Sequence, residues 1–252
     1  MSDAAEPGRA ERPKARRRVA ESSPTSTRGR ELRELEPLTD EEERKLYREW
    51  WLRLPLTIIA PRAVFTALRD ESEDSRSARQ EPVLLLVLLS GIAAVLQTSA
   101  AGSLLDNPEL DGALVFVWAV IGGVMYGTVT YWFGGFAIYL GSRGATAKKQ
   151  AKPTYQRARH VVAFAAAPIA LSFIVWPIQL AIYGTDVFQS RGSESIGEQI
   201  FAIIITLFVV WAVGLLVYGI RTTYDWTWIR ALGTMLLGVL ALLCITAPFV
   251  FV

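Results

Sequence analysis

The chain has 252 residues, of which 52% are hydrophobic and 20% charged, and its formal net charge is +2. A single histidine and a single cysteine exclude a metal site built from these two ligand types. Any Ser-His or Cys-His catalysis would have to use His160. The charged residues are concentrated in the N-terminal third and in two loops, so the rest of the chain is more apolar than these averages indicate.

The N-terminal third divides into two parts. Residues 1–37 predict a disordered tail, because Arg, Glu, Pro, Ser and Ala dominate there and bury almost no apolar surface. Order is expected to begin at Thr39, which forms a capping-box pattern with Glu42. Residues 38–82 are therefore predicted to hold cytoplasmic amphipathic helices and a polar linker.

An aromatic stripe marks the first of these helices. Leu46, Trp50 and Leu54 recur at helical spacing, and Trp51 lies beside them. The stripe predicts a helix in the membrane interface, with Trp50 and Trp51 at headgroup depth. The alternative is a helix packed on the cytoplasmic loops of its own chain. Pro55 is expected to end the helix in either case.

Five long stretches without Asp, Glu, Lys or Arg follow, within residues 83–252. A helix rises 1.5 Å per residue, so 19 residues cover about 28 Å, close to the thickness of a bilayer core. The stretches predict an all-α integral membrane bundle of five transmembrane helices, or four spans with one re-entrant segment. They are residues 83–101, 113–140, 161–183, 199–220 and 231–252.

The distribution of Lys and Arg predicts an orientation for this bundle. In chain order, the segments outside the five stretches hold 17, 0, 6, 1 and 2 of these residues. Cytoplasmic loops carry the excess of Lys and Arg in membrane proteins. We therefore expect a multi-pass protein of the plasma membrane, with a cytoplasmic N-terminus and a C-terminus on the opposite side.

Small residues and prolines predict how the spans pack. Gly123 and Gly127 form a G-x-x-x-G pair in the second stretch, which also contains Gly134 and Gly135. Such pairs let two helix backbones approach closely in lipid. The partner is either another span of this chain or a second copy in a homo-oligomer. Pro168 should kink the third stretch, as a packing bend or as a moving element.

Aromatic and basic residues at the ends of the stretches are candidates for membrane contact. Trp226 and Trp228 lie where an aromatic belt is expected. A basic loop between the second and third stretches is expected to bind lipid headgroups or an acidic protein partner, or only to set the orientation. We expect no nucleic-acid binding, because no folded basic module accompanies the loop. Its candidate contact residues are Lys148, Lys149, Lys152, Arg157 and Arg159.

The five stretches also lack the groups that most chemistry requires. Ion-coupled transporters place ionisable residues within their spans, and these stretches contain none except the Cys244 thiol. No sequence motif for catalysis, nucleotide binding or metal binding is present, so we expect neither an enzyme nor a cofactor. The uncharged polar residues could line a narrow pathway or hydrogen-bond between helices.

Three segments together resemble a known family. Pro61, Arg62 and Phe65 precede the first stretch, a YQRARHVVAFAAAPIAL segment occupies residues 155–171, and WAVGLLVYGIRTTYDWTWIRAL occupies residues 211–232. Over about residues 55–250 the chain resembles the Yip family of Ypt/Rab-interacting membrane proteins, in a prokaryote-style form. The resemblance implies five spans and an integral membrane scaffold rather than an enzyme. Eukaryotic members of the family are associated with Rab-type GTPases and vesicle traffic.

Two functional hypotheses follow. The leading one is a non-enzymatic membrane protein of the Yip type that organises lipids or partner proteins at the membrane. The alternative is a small-solute channel or permease that uses the kinked third stretch and the uncharged polar residues. A water-filled cavity lined by Thr130 and Ser172 would favour the alternative, and tightly packed glycines would favour the first.

Overall fold

The computed structural model describes residues 39–97, 112–145, 153–183 and 196–250, and every regular element in these ranges is a helix. The described residues from Asp40 onward form one compact unit. The tail predicted for residues 1–37 lies outside the described residues, so its disorder stays a prediction.

Ten helices lie in the described part of the chain. They are α1 (Asp40–Ile59), α2 (Pro61–Ala67), α3 (Glu73–Ala78), α4 (Gln80–Leu96), α5 (Gly112–Ala145), α6 (Tyr155–Ala165), α7 (Ala167–Ser172), α8 (Val175–Tyr183), α9 (Ile196–Tyr224) and α10 (Trp228–Val250).

Within the described residues, four stretches of helix are long and apolar enough to cross a bilayer. The helical character and four candidate spans of the predicted bundle are thereby confirmed. α10 contributes a shorter apolar stretch, Trp228–Leu240, so the fifth span stays a prediction. The four candidate spans are Glu73–Leu96, Phe116–Ala145, Tyr155–Gln179 and Gln199–Tyr224.

The first helix does not end at Pro55, and that prediction was wrong: α1 continues to Ile59. Proline cannot donate a hydrogen bond to the carbonyl four residues earlier, which here belongs to Trp51. Both Pro55 and Trp51 lie on the exposed side of α1, where water or lipid headgroups can bind that carbonyl. The helix therefore tolerates the proline.

The third predicted stretch is a broken helix made of α6, α7 and α8. Pro168 lies in the first turn of α7, where a missing backbone N–H leaves no hydrogen bond unmade. The Ala166 N–H donates to the carbonyls of Val162 and Ala163, at 3.1 and 3.2 Å, across the first break. Pro168 is fully buried, so the bend lies inside the packed bundle.

The central helix α5 packs on α4 through glycines. A Cβ added to Gly123 would lie 2.5 Å from Cα of Ile92, and one added to Gly127 would lie 3.3 Å from Cα of Gly91. Real Cβ atoms do not approach a backbone as closely as 2.5 Å, so only glycine fits at position 123. Gly123 and Gly127 therefore face another span of the same chain, and Gly91 supplies the matching small residue.

The other end of α5 packs on α6 and α10. A Cβ added to Gly134 would lie 3.4 Å from the Val162 side chain, and one added to Gly135 would lie 2.9 Å from Cα of Arg159. On the α10 side, a Cβ added to Gly238 would lie 2.7 Å from the carbonyl carbon of Ala137. Glycines thus bring three helices against α5.

Candidate functional site

The first and last of the three segments that carry the family resemblance meet at one end of the bundle. Phe65 of α2 is fully buried against α9, where Gly219 makes room for its ring. A Cβ on Gly219 would lie 2.6 Å from Cε1 of Phe65. Tyr218 packs edge-to-face on the same ring at 6.3 Å, and the Thr223 hydroxyl donates to the Phe65 carbonyl at 3.3 Å. α2 is therefore fixed on the end of α9.

Arg69 links the same two segments across 153 positions in the sequence. Its Nε donates to the carbonyl of Thr222 at 3.0 Å, and Nη2 also contacts this carbonyl. Nη2 lies 3.3 Å from the carboxylate of Asp225. The guanidinium therefore binds a backbone carbonyl at the end of α9 and one carboxylate beyond it.

Asp225 forms the turn between α9 and α10 in a left-handed conformation, with φ of 56°. The N–H of Trp226 donates to the Arg221 carbonyl at 3.0 Å, as in a Schellman helix ending. Asp tolerates this conformation better than most residues other than Gly and Asn. The turn thereby directs α10 back along the bundle.

Replacing Asp225 with valine should destabilise the protein, because a β-branched side chain is strained at positive φ. A loss of about 1–2 kcal/mol is expected, or about 2–8 °C in the midpoint of thermal unfolding in mild detergent. Asp225→Asn keeps the conformation and removes only an exposed ion pair, so its midpoint should change by less than about 2 °C. Equal losses in the two variants would contradict the role given to the backbone.

Between α2 and the turn lies an open cavity of about 350 Å³, here called the motif cleft. Three arginines and one aspartate line it, so these four side chains carry a net charge of +2. The cleft lies where the candidate span Gln199–Tyr224 ends. Its lining residues are Arg62, Thr66, Arg69, Tyr218, Arg221, Thr222, Asp225 and Trp226.

An ion-pair network lies beside the motif cleft and involves Arg157, one of the predicted lipid or partner contacts. Arg157 pairs with Glu71 at 2.9 Å and donates to the Arg69 carbonyl at 3.2 Å. Glu71 also accepts from the Thr154 hydroxyl at 2.6 Å. The Arg157 side chain is only 13% exposed. It joins α6 to the linker after α2 rather than presenting a free cation, which corrects the prediction.

Arg159 also contacts residues of its own chain. Its guanidinium lies over the rings of Trp132, Tyr155 and Tyr131, at 4.0, 4.7 and 5.3 Å from the ring centroids. Cation–π contacts of this kind stabilise a charged guanidinium that has no carboxylate partner. The described contacts of Arg159 are therefore with rings of its own chain, and its contact with lipid or a partner stays a prediction. Lys148, Lys149 and Lys152 lie outside the described residues.

Trp50 is not at the membrane interface, which corrects a second prediction. Its side chain is fully buried and packs against Phe164 with ring centroids 5.9 Å apart. The guanidinium groups of Arg53 and Arg79 lie over the indole at 4.1 and 5.5 Å. Burial lowers the pKa of Arg53, and the carboxylate of Glu49 opposes this shift. The predicted alternative, a helix packed on its own chain, describes this face of α1.

The opposite face of α1 is apolar and exposed. Trp51 and Leu56 are 39% and 38% exposed, Leu52 is 57% exposed and Ile59 is 80% exposed. Leu52, Leu56 and Ile59 recur at the spacing of one helix face. The candidate membrane-contact face of α1 is therefore built from these residues and not from Leu46, Trp50 and Leu54.

The two tryptophans of the α9–α10 turn also differ. Trp226 is buried, stacks on Tyr224 with centroids 4.9 Å apart, and lies under the guanidinium of Arg230. Arg230 in turn donates from Nε to the Ala145 carbonyl at 2.7 Å. Trp228 is half exposed, with the Arg221 guanidinium 4.6 Å above its ring. Only Trp228 is positioned for the predicted aromatic belt.

The contacts that sequence reasoning missed are those of Arg69, Arg79 and Asp225. Arg79 is almost completely buried between α3 and α4, and its Nη1 donates to the Asp70 carbonyl at 3.0 Å. The one feature of the sequence that points to these contacts is the charged pair Arg69–Asp70, at the end of the segment that begins at Pro61. His160, the residue that Ser-His or Cys-His catalysis would have to use, is buried.

The fold and the motif cleft define a helical, multi-pass membrane protein with its pre-span helices docked on one end of the bundle. A family model of the Yip1 domain matches residues 56–248, a range that contains both sides of the motif cleft. The chain belongs to the Yip1 domain family. No curated protein matches the chain, and no solved structure matches it.

Proposed function

We propose that this Yip1-domain protein is a non-enzymatic organiser of lipids or partner proteins at the cytoplasmic face of the plasma membrane. One observation carries the proposal. The helices before the first span are fixed on the end of the bundle through the Phe65–Gly219 contact and the bonds from Arg69 to Thr222. A rigid face of this kind suits binding, because its groups are ordered before a partner arrives.

The contacts at this end support the proposed orientation. Arg157 binds Glu71, Arg69 approaches Asp225, and Arg230 binds the carbonyl of Ala145. These contacts join the pre-span segment to the α5–α6 and α9–α10 connections. All three regions are rich in Lys or Arg, and the positive-inside rule puts such regions in the cytoplasm. The C-terminus lies on the other side if α10 crosses the bilayer.

The packing of α5 favours an organiser over a permease. Gly123 and Gly127 face the α4 backbone, and the cavity beside Thr130 measures only about 110 Å³. Ser172 accepts a hydrogen bond from Gln97 at 3.0 Å and donates to the Ile169 carbonyl at 2.7 Å. The Ser172 hydroxyl therefore takes part in a contact between the end of α4 and α7. A homo-oligomer would have to use another surface than these glycines, because α4 covers them.

The exposed face of α1 provides a membrane contact for this function. Apolar side chains of a cytoplasmic helix that the protein itself leaves uncovered are stabilised by insertion into the headgroup region. Trp51 suits that depth, since its ring is amphipathic. We propose that α1 lies against the bilayer through this face, while Trp50 holds it to the bundle.

The test is recovery of lipids and proteins with the full chain, purified from native membranes in mild detergent. Leu52→Asn combined with Ile59→Asn removes the apolar face without touching a buried residue. We expect mass spectrometry to show specific lipids or proteins depleted from this variant by about tenfold, equivalent to about 1.4 kcal/mol. The control is Glu43→Gln with Arg44→Gln, which changes two exposed residues earlier on α1.

Two results would count against the proposal. One is an identical set of bound molecules in the wild type, the α1-face variant and the control. The other is solute flux through proteoliposomes well above that of protein-free vesicles, which would support a permease instead. Equal thermal midpoints of the variants would show that the comparison is not affected by unfolding.

A further inference from the structure

The motif cleft has the net positive charge of an anion site. Arg62, Arg69 and Arg221 line it, with Asp225 as the only carboxylate among its lining residues. A guanidinium presents several N–H donors in a planar fork that matches the oxygens of phosphate. Three such groups around one cavity therefore favour a phosphate group.

Arg69 is held in place before any ligand binds. Its contacts with the Thr222 carbonyl and with Asp225 use Nε and Nη2, so Nη1 is left to serve as a further donor. The side chain is 41% exposed. A positioned cation of this kind loses little side-chain freedom when it binds an anion.

Arg221 contributes a second arginine to the lining of the cleft. Its guanidinium stacks on Trp228, and its Nε is buried with no hydrogen-bond partner among the described residues. A buried donor without an acceptor is unfavourable, because it has lost its bonds to water. Arg62, on the other wall of the cleft, is exposed. A phosphate between these two arginines would supply acceptors to both.

The position of the cleft indicates where the phosphate comes from. The candidate span Gln199–Tyr224 ends at the cleft, so the cleft lies at the depth of lipid headgroups. Trp228 and Ile229 beside it are 51% and 87% exposed, which provides an apolar surface for acyl chains. A free phosphate would not use that surface.

We infer that the motif cleft binds the phosphate of an anionic phospholipid, through Arg62, Arg69 and Arg221, with the acyl chains along Trp228 and Ile229. The inference rests on the proposed function, since it names the lipid chemistry that the same face of the protein takes. Asp225 disfavours a second phosphate group near the turn, so a headgroup with one phosphate fits better than a polyphosphate.

The test is a binding titration of the purified full chain in neutral detergent, with short-chain phosphatidic acid and phosphatidylglycerol as probes. The variant combines Arg62→Gln with Arg221→Gln, because neither side chain makes a described hydrogen bond within the protein. The control combines Arg44→Gln with Arg48→Gln, which removes the same charge from the exposed side of α1. We expect affinity about tenfold weaker in the cleft variant and within about twofold of wild type in the control.

Other probes distinguish the source of the phosphate. Inorganic phosphate that binds as tightly as the lipids would overturn the lipid assignment, and so would a glutamate-rich peptide that binds equally well. Equal affinity of the cleft variant and the wild type would overturn the site itself. The proposed function would still stand if the α1-face variant had lost its bound molecules. Arg62→Gln alone provides the comparison if the double variant does not fold.

Discussion

Replacing Gly123 and Gly127 together with alanine should strongly destabilise the protein in mild detergent. Each added methyl group would meet the α4 backbone, at 2.5 Å from Cα of Ile92 in the case of Gly123. A backbone cannot rotate away as a side chain can, so the two helices must separate. Overpacking costs about 1–3 kcal/mol per site. The combined loss should lower the thermal midpoint by about 5–15 °C.

Two other glycines provide a matched control for this pair. A Cβ added to Gly214 or to Gly233 would meet no atom within 4 Å. Alanine is favoured over glycine in a helix by about 1 kcal/mol. The double alanine variant at these two positions should therefore keep or raise the midpoint. A similar fall in both double variants would contradict the close approach of α4 and α5.

The helical spans and one close helix contact could be predicted from the sequence, because a bilayer imposes simple rules on the chain. Charge-free stretches had to become helices, since a bilayer supplies no water for unpaired backbone groups. Gly123 and Gly127 predicted a close helix contact because no hydrophobic effect drives helices together in lipid. Small residues let the backbones approach and gain van der Waals contacts instead. The identity of the partner helix required the structure, because spacing along α5 does not reveal which span carries Gly91.

The roles of individual arginines could not be predicted in this way. Arg157 and Arg159 lie two positions apart in a basic segment, yet one binds Glu71 and the other lies over Trp132. Both partners are distant in the sequence, and a basic segment gives the same pattern whether its cations face lipid or protein. The Lys and Arg count predicts an orientation, but it does not predict the contacts of individual residues.

The same limit applies to the stripe on α1. A run of apolar residues at helical spacing shows that one helix face avoids water. Such a face can pack equally well against protein or against a membrane. Trp50 and Trp51 are neighbours in sequence and point about 100° apart on the helix. The second apolar face, with Leu52 and Ile59, has the same helical spacing and lacks only the aromatic residues of the first.

Replacing Trp50 with alanine should strongly destabilise the protein. The indole is fully buried among Phe164, Arg53 and Arg79, so its removal leaves a cavity beside two cations. Loss of a large buried aromatic costs about 3–5 kcal/mol. We expect the thermal midpoint in mild detergent to fall by about 6–20 °C. α1 should also become more susceptible to limited proteolysis.

Trp51→Ala is the matched control, because it removes the same side chain from the next position on α1. That indole is 39% exposed, so its loss should change the midpoint by less than about 3 °C. It should instead weaken the contact of α1 with vesicles, as measured by the lipid accessibility of a spin label at position 59. If Trp51→Ala destabilised the protein as much as Trp50→Ala, the two faces of α1 would have been assigned incorrectly. If only Trp50→Ala unfolds the protein, the two adjacent tryptophans have different roles. Trp50 then packs α1 on the bundle, and Trp51 contacts the membrane.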